Sequence, residues 1–243
     1  MLHRILFSLL LIPVTIYYSI KMLLVDSARS TQEQEDAPAL QWGRQLIRLG
    51  GLRIDADLSS IEPGGHYVLI GNHQSNLDIP ILDAVFLEKD VHIRFVAKQS
   101  LFDIPLFGKA MARAGHISID RGNRRAAMKS LAAAVDQIKG GISPVIFPEG
   151  TRNTNLDEFL EFKSGGVILA LKSGLPVVPF VMVNTGRVMP KGGRFLDNRH
   201  TIRIKTLPVI DSSAYTLKER DKFKDDLREM MMTAYREMRN EEK

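Results

Sequence analysis

The stretch "YVLIGNHQSNLDIP", residues 67–80, decides the fold of this chain. An apolar run, Val68 to Ile70, enters a polar turn that carries His73, Asn76 and Asp78. Residues five apart on a regular helix point about 140° away from each other, so His73 and Asp78 cannot meet mid-helix. They meet if His73 sits in a strand-to-helix turn and Asp78 in the first turn of the helix that follows. Asn76 is then the expected N-cap. A turn at the carboxyl end of a strand is a common place for sites in α/β sheets.

The same pattern recurs along the chain. "IRFVAK", "GHISID", "SPVIFPEG" and "PVVPFVMVN" read as further strands, several buried on both faces, and "HTIRIKTLPV" as a last one. Residues 76–88, 100–113, 123–139 and 165–173 read as the helices between them. Strand–helix alternation predicts an α/β fold with a mostly parallel central sheet flanked by helices. Thr216 with Glu219 makes a capping box for a final helix to about Asn240. From Lys218 on, the chain carries eight basic and eight acidic residues, and the helix reads as a solvated, structural element.

The first fifty residues are different. Ile5 to Ile20 is 16 residues without a charge, followed by Lys21 and "MLLV". As a helix, residues 5–25 would be roughly 30 Å long, about the hydrocarbon thickness of a bilayer. "KMLLVDSARS" is a poor cleavage site for a signal peptide. A second helix is expected from Asp36 as N-cap, with Pro38 in its first turn and Gly50 or Gly51 as its stop. Its Leu40, Trp42, Leu46, Ile47 and Leu49 with Arg44 and Arg48 suit a membrane interface. The expected organisation is a membrane-associated two-helix segment over residues 1–50 and an α/β domain over residues 51–243.

The chain has 243 residues, no cysteine, a net charge of +5 and a pI near 9.4. Without cysteine there is no disulfide framework, thiolate metal site or cysteine nucleophile. The basic balance suits an anionic partner. A histidine oriented by a carboxylate is a general base, the acid fixing its tautomer. Taken alone, the commoner meaning of this spacing is a turn histidine with a first-turn acid favoured by the helix dipole. Ser75 has no nucleophile-elbow pattern around it, and the spacing is not that of metal ligands.

Two later stretches change the balance. "FPEGTRN", residues 147–153, leaves a buried strand and offers an anion the Thr151 hydroxyl and the Arg152 fork. "ISIDRGN", residues 117–123, supplies Arg121 in the same way. Asp120–Arg121 and Glu149–Arg152 also read as plain ion pairs. The basic segment 187–205, with six Lys or Arg and one acid, Asp197, reads as a solvated hairpin or a membrane-facing patch. Few aromatics accompany it, which argues against nucleic acid as a partner.

Over residues 51–184 the chain resembles the glycerolipid acyltransferase superfamily, most closely the bacterial 1-acyl-sn-glycerol-3-phosphate acyltransferases. Four motifs occur in the family's order: "NHQSNLD", "ISIDRGN", "FPEGTRN" and "LPVVPF". Ser118 stands where an aromatic is common in the second motif. The resemblance implies His73 as general base for the acceptor hydroxyl, with Asp78 as its orienting partner. It implies Arg121, Glu149, Gly150, Thr151 and Arg152 as acceptor-binding residues, with Lys98 as a further phosphate contact. It implies lysophosphatidic acid as acceptor and acyl-CoA or an acyl-carrier-protein thioester as co-substrate, with no metal and no other cofactor; glycerol 3-phosphate or another lysolipid is the alternative acceptor, and a lipid hydrolase or a membrane-bound anion-binding protein the alternative of another class. The expected location is the inner cell membrane, with the catalytic domain on its cytoplasmic side.

Overall fold

The computed structural model describes residues 2–26, 28–120, 130, 133–136, 138, 141–193 and 196–241. Arg121, and with it most of the helix expected over residues 123–139, lies outside the described residues.

The chain opens with two helices, α1 (Leu2–Leu23) and α2 (Gln32–Gly50). It continues through β1 (Arg53–Asp57), β2 (Val68–Gly71), α3 (Asp78–Glu88), β3 (Ile93–Lys98), α4 (Gln99–Phe102), α5 (Phe107–Arg113) and β4 (Ile117–Ile119). Then come β5 (Ser143–Ile146), α6 (Ser164–Ser173), β6 (Val177–Val183), α7 (Thr185–Val188), β7 (Thr201–Thr206) and α8 (Arg220–Asn240).

The strands form one sheet in the order β1-β7-β6-β2-β5-β3-β4. Every neighbouring pair is parallel except β6 with β7. The expected mostly parallel, helix-flanked architecture is what the chain forms. β2, β5 and β6 are buried along their whole length. The pleat sends Leu69 to one face, where it packs with Val145, Val178 and Phe180 beneath α3 and α2. Val68 and Ile70 go to the other face and pack under α6 and α8. The final helix is therefore not solvated all round: Phe223, Leu227, Met231, Tyr235 and Met238 make a buried stripe.

Several local expectations are displaced. β1 has no apolar run to announce it, because "RIDAD" is an exposed edge strand whose charges face water. The expected helix over 100–113 is split between α4 and α5. Pro105 removes a donor and restricts Ile104, and Leu106 turns with φ +66°. α2 starts before Asp36, because Thr31 and Gln34 close a reciprocal capping box. Asp36 is buried instead, and takes Arg94 Nη1 at 2.7 Å and His92 Nδ1 at 2.6 Å. Gly51, with φ +57°, ends α2 as expected.

α2 lies between α1 and α3. At Gly43 the approach is so close that a Cβ would run into the Pro80 carbonyl oxygen. α1 turns Phe7 and Met22 inward and leaves Ile5, Leu9, Ile12, Ile16 and Ile20 exposed. It runs antiparallel to α2, with His3 near Leu49 and Lys21 bonded to Gln41.

Candidate active site

His73 stands in the turn between β2 and α3, at the carboxyl end of the central strand. The turn is tied down by its neighbours. Asn72 Nδ2 donates to the Met182 carbonyl at 2.9 Å, and the Met182 N–H donates back to Asn72 Oδ1 at 2.7 Å. Asn72 thus continues the β2–β6 ladder with a side chain where the backbone turns away. Ser75 Oγ donates to the Met189 carbonyl at 2.7 Å and accepts from Leu77 N–H. Ser75 is fully buried and committed to the turn, so it is not placed as a nucleophile.

His73 Nδ1 and Asp78 Oδ2 are 2.7 Å apart. The same oxygen accepts the N–H groups of Gln74 at 2.8 Å and Ser75 at 3.0 Å. Asp78, not Asn76, organises the start of α3, whose N-cap Leu77 makes no side-chain cap bond. An ionised carboxylate only accepts, so Nδ1 carries the proton and Nε2 presents a lone pair. The His73 ring stacks on Phe147, with centroids 4.2 Å apart, and its side chain is 17% exposed. Asp78 and Phe147 hold the ring, and part of it stays accessible.

Glu149 lies directly behind His73. Its carboxylate accepts His73 N–H at 3.0 Å through Oε1 and Leu160 N–H at 2.9 Å through Oε2. The residue is 1% exposed. Burial pushes its pKa up, against the two backbone hydrogen bonds that favour the charged form. In this arrangement the carboxylate positions the histidine turn. The expected Glu149–Arg152 ion pair is not formed. Gly150 turns with φ +70°, a conformation that glycine adopts at no steric cost. That turn carries Thr151 to the surface and Arg152 to a half-buried position.

Lys98 ends β3, exposed, opposite Ile119 in the β3–β4 register. Because β5 and β3 are neighbours, the turns that carry Arg152 and Lys98 open on the same edge of the sheet. Sequence reasoning missed Lys191, whose Nζ lies 3.3 Å from Thr151 Oγ1 and 3.5 Å from the Arg152 carbonyl. Nothing local in "MPKGG" gave that away, because the contact spans 40 residues. Beside the turn, a cavity of about 290 Å³ is lined by Val96, Ile119, Ile146, Phe147, Leu169 and Gly150. Among the described residues, no group of three or more His, Asp or Glu is placed to hold a metal ion.

A family model described as Acyltransferase matches residues 53–183. The chain is 32% identical over 188 residues to a 1-acyl-sn-glycerol-3-phosphate acyltransferase of Salmonella typhimurium, covering 76% of this chain and 71% of that protein. It is 35% identical over 137 residues to a chloroplastic 1-acyl-sn-glycerol-3-phosphate acyltransferase of Brassica napus, covering 56% of this chain but 38% of the plant protein. It also matches 61% of the length of a Caenorhabditis elegans relative named a putative 1-acyl-sn-glycerol-3-phosphate acyltransferase. Among solved structures, the lysophosphatidic acid acyltransferase of Thermotoga maritima shares the fold with a TM-score of 0.78, at 20% identity, over 96% of this chain and 94% of that one. With the matched region running from β1 to the last residue of β6, and the His73–Asp78 turn inside it, the chain belongs to the Acyltransferase family.

Proposed function

We propose that this protein transfers a fatty acyl group from an acyl thioester to the free sn-2 hydroxyl of 1-acyl-glycerol 3-phosphate, giving phosphatidic acid. The observation that carries this reading is the His73–Asp78 pair, with Arg152, Lys191 and Lys98 on turns at the same end of the sheet. Relatives named for this activity support the choice of acceptor.

The acceptor O–H gives its proton to His73 Nε2 while its oxygen bonds to the thioester carbonyl carbon. Asp78 steadies the imidazolium that forms. The tetrahedral adduct collapses with cleavage of the C–S bond, and the departing thiolate takes the proton back from His73. No covalent enzyme intermediate is needed, because a thioester is already activated. Arg152, Arg121 and Lys98 hold the acceptor phosphate, with the Thr151 hydroxyl on the same turn as Arg152. The Arg fork matches a phosphate in two bonds.

The exposed stripe of α1 is the membrane contact in this reading. The one described helix long and apolar enough to cross a bilayer is Ile5–Leu23. α2 runs alongside α1 with Glu33, Glu35, Arg44 and Arg48. A spanning α1 would drag those charges into hydrocarbon, which costs several kcal/mol. The pair therefore lies in one leaflet on the cytoplasmic face. The test is thioester turnover by the purified protein in mixed micelles, offered lysophosphatidic acid, glycerol 3-phosphate or no acceptor. Thiol release that depends on lysophosphatidic acid supports the reading. Equal release without acceptor makes the protein a hydrolase and overturns it.

A further inference from the structure

Apart from Lys191, the described basic residues of the segment 187–205 take no part in the chemistry described above, yet Arg187, Arg199 and Arg203 are gathered around one groove. Between α7, the start of β7 and the end of α8 lies a groove of about 880 Å³. Arg187, Arg199, His200, Arg203, Arg236 and Arg239 line it, with the carboxylates of Asp55, Asp157 and Glu241 between them, so the lining keeps an excess of positive charge. Most of the guanidiniums are fixed by carboxylates. Arg199 is paired in two bonds with Asp197, at 2.8 and 2.6 Å. Arg203 is held by Glu241 at 2.7 Å and Arg239 by Asp157 at 2.8 Å. Arg236 is only loosely paired, 3.8 Å from Glu158. Among the described residues, the Arg187 side chain has no hydrogen bond or ion pair and is exposed at the mouth of the groove.

The position of the groove follows from the strand order. His73 follows β2 in the middle of the sheet. The acceptor-side cations follow β5 and β3 on one side. The groove opens over β6 and β7, on the other side and at the same end of the sheet, since antiparallel β7 begins where β6 finishes. Groove and base share a wall. Gly186, next to Arg187, packs on Gln74 and Leu156. Gln74 Nε2 donates to Tyr235 Oη at 2.7 Å, and Tyr235 Oη donates to the Leu156 carbonyl at 2.9 Å. Arg239 also donates to that carbonyl.

We propose that this groove holds the 3′-phosphate and diphosphate of coenzyme A, so that the acyl donor reaches His73 from the side opposite the acceptor phosphate. The inference rests on the acyl-transfer reading and adds the residues that bind the donor. Forked arginines match phosphate oxygens in pairs. The volume suits a small polyanion, since ligand clefts run to about 300–1,000 Å³. A carrier-protein partner would need a broad face of about 800 Å² per side, not a cleft. The long pantetheine arm leads from the groove past Gln74 to the base.

The experiment compares Arg187→Ala, Arg187→Lys and Arg236→Ala with the parent protein, using acyl-CoA and an S-acyl pantetheine that lacks the nucleotide. The ratio of kcat/KM for acyl-CoA to that for acyl-pantetheine should fall about tenfold in Arg187→Ala, as for a lost charged hydrogen bond, and recover in part with lysine. Binding of coenzyme A by equilibrium dialysis should weaken in parallel. That measurement stands even if His73 proves not to be the base. A rise in the KM for lysophosphatidic acid instead, a loss confined to acyl-carrier-protein thioesters, or weaker sedimentation with anionic vesicles at an unchanged donor ratio would each overturn the proposal.

Discussion

The Glu149 carboxylate accepts the main-chain N–H of His73 at 3.0 Å and that of Leu160 at 2.9 Å, joining the two turns of the site through one buried side chain. Glu149→Gln keeps one acceptor and turns an amide N–H₂ against a backbone donor. A buried donor left without a partner costs about 1–3 kcal/mol. We expect kcat to fall about tenfold or more, with the acceptor KM changed by less than about threefold. A raised acceptor KM with kcat preserved would put Glu149 on the substrate, as the family resemblance implies.

His73→Ala should abolish transfer and leave the protein folded, because the ring sits in a turn at the end of the sheet and not in the core, with a modest fall in melting temperature from the lost Phe147 and Asp78 contacts. Asp78→Asn should cut kcat by about 10²–10⁴ through the loss of tautomer and orientation. It should also lower the melting temperature, because Asp78 Oδ2 anchors the Gln74 and Ser75 N–H groups. Circular dichroism melts beside steady-state rates separate the two effects. An unchanged turnover number in His73→Ala would end the general-base mechanism.

Arg152→Ala and Arg121→Ala should each raise the KM for the acceptor by about 10–100-fold, the size of a lost charged hydrogen bond. Lysine should restore only part, since it lacks the planar fork. Lys191→Ala should have a smaller effect of the same kind. Variants at Arg152 and Arg121 that change only the donor KM would reverse the assignment of the two sides.

Two buried groups near the α1–α2 hairpin make stability depend on pH. Burial raises the Asp83 carboxyl to about 8, with Asp36 adding to the shift and Arg94 opposing it. Burial lowers His116 to about 3, helped by Arg94. Asp83 keeps its proton in the folded state while the unfolded chain loses it, so its contribution falls as pH rises from about 4 to 8. His116 acts the other way between about 3 and 6.5, where the unfolded chain binds the extra proton. The two oppose each other up to about pH 6.5, and above that the His116 contribution is constant while that of Asp83 still falls. The unfolding free energy in micelles should therefore drop between about pH 6.5 and 8, by up to about 1.4 kcal/mol per pH unit, and the melting temperature with it. Asp83→Asn should flatten that drop. A parent protein with no drop in that window would refute the account.

A single cysteine in place of Leu2, in a chain that has none, reports the topology. In sealed inside-out vesicles an impermeant thiol reagent should label it, as expected if α1 and α2 enter one leaflet from the cytoplasmic side. Labelling only after the vesicles are opened would mean that α1 crosses.

The sequence by itself determined the order of strands and helices along the described residues of 67–184, because buried parallel strands are continuous apolar runs and the turns after them are polar. It also singled out His73 and Asp78, since that pair is local, five residues apart across one turn. It missed β1, whose charges belong to an edge, and the break at Pro105 within a run of good helix residues. Only the tertiary structure decided what Glu149 touches, because its partners His73 and Leu160 are distant in sequence and are reached through backbone N–H groups that no side-chain pattern reveals. The same holds for Asp36, which looks like a helix cap in sequence and is a buried partner of Arg94. Lys191 beside Thr151, and Arg187 with Arg236 across one groove, likewise arise from strand order. Spacing along the chain encodes one turn at a time, whereas a site drawn from five strands exists only once the sheet has set their neighbours.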